Sequence, residues 1–345
     1  MLKRVTFITA AALLALLTAG CVKTLDSAPG RNEAIRFGAG SSLLLEDGLT
    51  RAEIREGASF SNGDAFTVFG TRNSGDSQST IFNGVEVTKG SFGWTYPSPK
   101  FWYWTSSSDY YDFVAVWPSG KGTEKMDISG NLAVSTHYDI MAGDNYDMMA
   151  AVNRRRGNVS NPSDTVRMSF SHLGCAVRVV VINNSENKDV TLDSVKFKNL
   201  VVCGDAKVSL DLYGQPSLSW INTERNPADV FKTEMDMGVP HGTRDSSSFF
   251  VMIPQRLDQA ATSVSTDENM PRLILKYTPQ GVVQSTANIC LKDVTRQDGT
   301  VITSWETGVK YTYYVNMRLD GGALVSIVTT AWDPVDAETP GLLID

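Results

Sequence analysis

The fold is indicated most clearly by the stretch CAVRVVVINNSENKDVTLDSVKFKNL, residues 175–200. In its second half, Val195 and Phe197 alternate with two lysines, and a period of two residues is typical of a strand with one buried face. The first half is rich in β-branched residues, and the polar residues between the halves are typical of a turn. We therefore predict two consecutive β-strands.

The same pattern recurs along the chain. Runs of β-branched and aromatic residues are bounded by Gly, Pro, Asn, Asp and Ser at AFTVFG (65–70), YDFVAVWP (111–118), SFFVMIP (248–254), RLILKY (272–277) and KYTYYVNMRL (310–319). After the first 20 residues, no window of helical length carries an apolar stripe with a period of 3.6 residues. Short strands at this spacing predict an all-β protein built from β-sandwiches.

A chain of 345 residues is longer than one such sandwich usually needs. The best boundary is the polar stretch NRRRGNVSNPSD, residues 153–164, whose three arginines we expect to form a solvated turn. We predict an N-terminal β-sandwich domain over residues 33–160 and a C-terminal β-sandwich domain over residues 161–345.

The N-terminus is typical of a targeting segment. Lys3 and Arg4 precede an apolar segment, residues 7–17, that is too short to span a bilayer. The segment ends in LTAGC, and small residues before a cysteine are typical of a lipoprotein signal. We predict a signal peptide over residues 1–20 and a lipid, including palmitate, on Cys21, which would hold the chain to a membrane. The alternative is an ordinary signal peptide with a chance cysteine.

Charge and motifs disfavour several function classes. The net charge is −7, which argues against nucleic acid as a partner because phosphate binding needs clustered Lys and Arg. There are three histidines, none in a zinc-protease motif, and no nucleophile elbow or glycine-rich phosphate loop is present. We predict no catalytic residue, no metal site and no cofactor. A glycosidase pair of carboxylates stays open among the 38 acids.

The cysteines beyond Cys21 have no metal-ligand or redox spacing. They are Cys175, Cys203 and Cys290, which we expect to be free thiols, with one disulfide left as an alternative. Cys175 lies in an apolar run and should be buried.

Aromatic residues are concentrated at residues 92–117, which contain four of the seven tryptophans. These residues could form the core and rim of the first domain, since aromatic side chains dominate sandwich interiors. The alternative is that Trp102 and Trp104 are exposed and bind a glycan or a host protein. That alternative would describe a surface lipoprotein that does not polymerise.

Seven segments, in this order, resemble a fimbrillin. They are GDAFTVFG (63–70), IFNGVEVT (81–88), GWTYPSPKFW (93–102), YDFVAVWP (111–118), MSFSHLGCAVRVVV (168–181), WETGVKYTYYVNM (305–317) and TTAWDP (329–334). The resemblance implies a type V pilus lipoprotein with two transthyretin-like Greek-key β-sandwich domains and no enzymatic activity. It also implies an anchor in the outer membrane and a place in a surface fimbrium of a Gram-negative bacterium.

The resemblance further implies assembly by strand exchange with other fimbrial subunits. In this family an arginine-specific protease cuts behind the first strand, and a strand of another subunit fills the groove. The segment of residues 21–55 resembles such a removable strand, because Ile35 and Phe37 alternate as apolar anchors and Arg51 and Arg55 follow. We predict processing at Arg51 or Arg55; the alternative is a passive linker.

The donor strand is less clear from the sequence. Residues 342–344, Leu-Leu-Ile, could serve as anchors, but Pro340 and Gly341 interrupt the run. The roles of tip, accessory and shaft subunit therefore stay open.

Overall fold

The computed structural model describes residues 34–40, 60–97, 104–122, 124–157, 165–211, 213–262, 266–317 and 323–332. Over these ranges the protein is all-β, which confirms the predicted fold class. Besides strands, the described residues form two 3-10 helices, Asp267–Asn269 and Leu291–Asp293. Neither helix is long enough to cross a lipid bilayer.

The described residues of the first half of the chain form ten strands. They are β1 (Arg36–Gly40), β2 (Ala65–Ser74), β3 (Ser77–Gly90), β4 (Gly93–Thr95), β5 (Tyr110–Trp117), β6 (Glu124–Asp127), β7 (Ala133–Asp139), β8 (Met149–Arg156), β9 (Thr165–Ser169) and β10 (Ser171–His172).

Those of the second half form twelve strands. They are β11 (Cys175–Asn183), β12 (Val190–Leu210), β13 (Pro216–Val239), β14 (Thr243–Ser246), β15 (Phe250–Met252), β16 (Gln255–Arg256), β17 (Arg272–Pro279), β18 (Ser285–Cys290), β19 (Thr295–Arg296), β20 (Ser304–Trp305), β21 (Val309–Met317) and β22 (Ala323–Ala331).

The first core lies on one face of a six-stranded antiparallel sheet with the order β10-β8-β5-β2-β3-β4. A two-stranded parallel sheet, β1-β9, contributes to the same core. The core is strongly aromatic and includes Phe37, Phe66, Phe82, Tyr111 and Phe113. Of the described aromatic residues at 92–117, Trp104, Tyr111, Phe113 and Trp117 are buried in this core, whereas Phe92 and Tyr110 are exposed.

The second core is larger and more aliphatic. It lies between the sheet β14-β11-β21-β22-β19 and the sheet β18-β17-β12-β7-β6, both of which contribute side chains. Along β12 the burial alternates as the sequence predicted, because Val195 and Phe197 are fully buried and the lysines beside them are not. Cys175 is buried here, and the three described cysteines are free thiols.

Strand β12 connects the two halves of the chain. Its first part, residues 190–198, pairs with β17, and its last part, residues 203–209, pairs with β7 from the first half. Val166 on β9 and Phe170 between β9 and β10, both of which follow residue 160, belong to the first core. The division into two domains at residues 160 and 161 therefore stays a prediction.

Two stacked rings, of His172 and Trp332, pack together where the two halves of the chain meet. The imidazole of His172 stacks on the indole of Trp332, with ring centroids 4.0 Å apart, and its Nδ1 lies 2.8 Å from Asp147. Both ring residues are buried. The last described residue of the chain thus packs on the end of the first half.

Candidate functional site

Strand β1 places two apolar anchors in the first core. Ile35, just before the strand, is 0% exposed and Phe37 is 4% exposed, whereas Arg36 between them faces solvent. Side chains on a strand alternate between its two faces, so Ile35 and Phe37 pack from the same face of this short segment. The predicted first strand with alternating anchors is therefore present and buried.

Phe37 lies within a cage of aromatic rings. Its ring makes edge-to-face contacts with Phe82, Phe113, Tyr96 and Phe66, at centroid distances of 5.3, 5.5, 6.1 and 6.3 Å. Such arrangements are favoured by the aromatic quadrupole and add to the free energy of burial.

The backbone of β1 is held along one edge. Within the described residues it pairs only with β9, in parallel, from Arg36 opposite Thr165 to Gly40 opposite Ser169. On the other side the Tyr96 hydroxyl donates a hydrogen bond to the Ile35 carbonyl, at 2.9 Å. The strand is thus buried by its side chains but attached to only one neighbouring strand.

Strand β9 depends on β1 for its strand pairing. Among the described strands it has no other ladder partner. Toward β8 it is held by side chains, since Asn153 Nδ2 donates to the Arg167 carbonyl at 2.9 Å and an Arg155 guanidinium nitrogen donates to the Thr165 carbonyl at 3.3 Å. Loss of β1 would therefore open an unpaired strand edge next to the aromatic cage.

Most predicted site residues lie outside the described residues. These are Cys21, Arg51, Arg55 and Trp102. The described chain ends β1 at Gly40 and begins again at Phe60, so both arginines fall in the segment between these points.

The exposed-aromatic hypothesis is wrong for Trp104. Its side chain is 0% exposed, because it packs edge-to-face on Tyr111 at 4.7 Å and lies under the Arg155 guanidinium at 5.2 Å. A side chain covered on both sides cannot stack on a ligand in this fold. Strand β5 provides Tyr111 and strand β8 provides Arg155.

The arginines of residues 154–156 end β8 and do not form the expected solvated turn. Arg154 makes two hydrogen bonds to the buried carboxylate of Asp112, and this interaction raises the pKa of Arg154. Arg156 lies over the ring of Tyr110. Sequence reasoning missed this pairing, because Asp112 is 42 residues from Arg154.

Other chemistry is sparse in the part of the chain that the structure describes. No three His, Cys, Asp or Glu side chains there are placed to hold a metal ion. The imidazole of His172 is buried between Asp147 and Trp332 as described above.

Comparisons with known proteins give one family profile and several solved structures of similar fold. A sequence profile of the fimbrillin-like family matches residues 50–332. A fimbrial protein from Bacteroides vulgatus is 13% identical, with a TM-score of 0.57 over 87% of this chain and 100% of that chain. A candidate cell adhesion protein from Bacteroides uniformis is 16% identical, with a TM-score of 0.50 over 87% of this chain and 98% of that chain.

These structural similarities concern the fold, since the identities are low. A search of curated protein sequences finds no match. The family profile covers most of the chain, including the segments in which the resemblance to fimbrillins was found. The chain belongs to the fimbrillin-like family, whose members are fimbrial and cell-adhesion subunits and not enzymes.

Proposed function

We propose that this fimbrial or cell-adhesion subunit is exported as a lipoprotein, cut behind β1 by an arginine-specific protease, and assembled by exchange of β1 for a strand of another subunit. The position of β1 carries the proposal: its anchors fill the first core, yet its backbone pairs with one strand only. The family match begins at residue 50, so β1 lies outside the shared sequence.

Removal of β1 would destabilise the first core. Burying one Ile or Phe side chain contributes about 1.5–3 kcal/mol, so the loss of Ile35 and Phe37 together amounts to about 3–6 kcal/mol. A typical domain is stable by only about 5–15 kcal/mol. The cut subunit would also carry an open groove beside β9, which favours addition of a new strand.

The pairing also suggests the direction of the incoming strand. Strand β1 runs parallel to β9, in a register that places Phe37 opposite Val166. A donor that re-forms this ladder would run parallel to β9 and place an apolar residue at the Phe37 position. Each subunit would then offer a donor at one place and a groove at another, which is a head-to-tail arrangement.

Cleavage is proposed at Arg51, with Arg55 as the second candidate. Cutting at either residue would separate Cys21 and β1 from everything after Phe60. The lipid would then no longer hold the subunit to the membrane.

An arginine-specific endoprotease tests the proposal on the detergent-extracted full chain. We expect release of an N-terminal fragment ending at Arg51 or Arg55, followed by oligomers on size-exclusion chromatography. The R51A/R55A double variant should not be cut between β1 and Phe60 and should stay monomeric. The control R244A, which removes an exposed arginine on β14, should behave like wild type. Strand exchange is wrong if cut and uncut chains both stay monomeric at high concentration.

Lipidation has its own test. Cells grown with labelled palmitate should incorporate the label into the wild-type chain and not into C21S. Equal labelling of both chains would contradict attachment at Cys21.

A further inference from the structure

An open pocket with a volume of about 560 Å³ lies where several turns of the protein meet. The end of β2 contributes Asn73, the start of β3 contributes Gln78, and the turn between β6 and β7 contributes Asn131. Tyr110 at the start of β5 and Tyr213 in the turn between β12 and β13 complete it. The pocket is thus assembled from both halves of the chain and lies apart from β1.

The floor of the pocket is fixed by a buried ion pair. The carboxylate of Asp112, which is 1% exposed, accepts two hydrogen bonds from the Arg154 guanidinium and one from Asn73 Nδ2 at 2.8 Å. Charge-assisted bidentate pairs of this kind hold both side chains in one geometry. The positive charge of Arg154 is therefore already matched by a carboxylate.

Tyr213 is presented by a tightly bonded turn. The Asp211 carboxylate accepts hydrogen bonds from the amides of Tyr213 and Gln215, at 2.8 and 2.7 Å. Gly214 next to it has a φ of +80°, and a Cβ there would lie 2.7 Å from Cδ of Arg154, so only glycine lets the turn pack this closely. The Tyr213 side chain nevertheless stays 85% exposed.

The second aromatic side chain is also held in place. Tyr110 is 40% exposed, and its hydroxyl accepts a hydrogen bond from Arg156 at 2.8 Å. The pocket therefore combines two tyrosine rings with three amide side chains. Small-molecule sites in proteins are concave and combine apolar rings with a few fixed polar groups.

This combination suits a sugar ring. The C–H face of a pyranose packs on an aromatic ring, and its hydroxyls exchange hydrogen bonds with planar amides, which both donate and accept. The charged residues that line the pocket are Asp76 and Arg154, and the Arg154 guanidinium is paired with the buried carboxylate of Asp112. An acidic sugar would meet more negative than positive charge here.

We propose that this pocket binds a neutral saccharide, with Tyr213 as the stacking surface and Asn131 as the partner for its hydroxyls. The pocket would give the subunit an adhesive function that is separate from its assembly. The proposal concerns the uncut monomer and does not depend on removal of β1.

The uncut protein is tested on an array of immobilised oligosaccharides containing neutral, sialylated and sulfated members. We expect binding to at least one neutral saccharide, which is then titrated in free form by calorimetry. The Y213A variant should lose about tenfold or more in affinity, because the apolar contact is removed. The Y213F variant should stay within about threefold of wild type, since the ring remains.

The matched control is F92A, which removes a fully exposed aromatic side chain from the turn between β3 and β4. It should bind like wild type. N131A provides a second variant, because Asn131 is a proposed partner for the hydroxyls of the saccharide. Its affinity for the saccharide should also fall. The proposal is overturned if no neutral saccharide binds, if only acidic ones bind, or if Y213A and N131A both match the control.

Discussion

Phe37 offers the sharpest test of how firmly β1 is held. The F37A variant removes a buried ring from a cage of four aromatic side chains and should lower the free energy of unfolding by about 3–5 kcal/mol. On the same strand, Arg36 faces solvent, so R36A should change the free energy of unfolding by at most about 1 kcal/mol. Urea denaturation of the uncut chain measures both values. Equal effects of the two variants would mean that β1 does not pack as described.

Glu124 on β6 should make stability depend on pH. Burial raises the pKa of its carboxyl above the ordinary 4.5, and its Oε1 atom is buried with no hydrogen-bond partner in the structure. A raised carboxyl pKa stabilises the folded state below pH 4.5, and that contribution is lost as pH rises through the raised value. Glutamine cannot ionise, so E124Q should be more stable than wild type at pH 7, and the difference should shrink toward pH 4.

Asp127 on the same strand serves as the opposite control. The Ser129 amide donates to its carboxylate and lowers the pKa of Asp127. This stabilisation is present above the ordinary pKa of 3.8 and is lost as pH falls. D127N should therefore be slightly less stable than wild type at pH 7, in contrast to E124Q. Thermal melts of both variants between pH 4 and pH 8 decide this, and shifts of the same sign would contradict it.

At the scale of single residues, the sequence indicated which side chains of β1 are buried, but it did not indicate whether Trp104 is exposed. Ile35 and Phe37 could be identified because alternation over a short segment indicates which side chains share a face. Trp104 could not be placed, because its burial depends on Tyr111 and Arg155, and only the fold brings the Arg155 guanidinium over the indole. The pocket residues Asn73 and Tyr213 carry no sequence signal, since they meet only through distant turns.

At the scale of strands, the groove left by β1 should be refillable. We expect a synthetic peptide of residues 32–40 to raise the melting temperature of the cut protein, because it restores both the ladder to β9 and the two anchors. A control peptide with serine at positions 35 and 37 keeps the backbone and removes the anchors. Differential scanning fluorimetry with each peptide measures the effect, and equal shifts would show that side-chain packing does not select the strand.

The strands themselves were largely predictable, whereas their partners were not. The runs at 65–70, 111–118 and 272–277 coincide with β2, β5 and β17, because β-branched and aromatic composition acts locally. The pairing of β7 with the far end of β12 joins residues about 70 positions apart, and nothing in the local pattern selects it. The same holds for the parallel pairing of β1 with β9.

At the scale of the whole molecule, the two cores should unfold together. Strand β12 contributes to sheet pairing with both β17 and β7, and the His172–Trp332 stack joins the end of the chain to the first half. We therefore expect one cooperative transition for the uncut chain, with equal calorimetric and van't Hoff enthalpies. Differential scanning calorimetry checks this, and two separated peaks would show that the halves behave as independent domains.

The shared β12 strand has a mechanical consequence for any filament built from this chain. Two bodies joined by a simple tether would let each subunit flex internally, whereas here β12 pairs within one sheet with β17 from the second half of the chain and with β7 from the first half, which resists such flexing. Curvature of the filament would then arise at the joints between neighbouring subunits. The length and composition of the exchanged strand would accordingly set how far such a filament bends in flow.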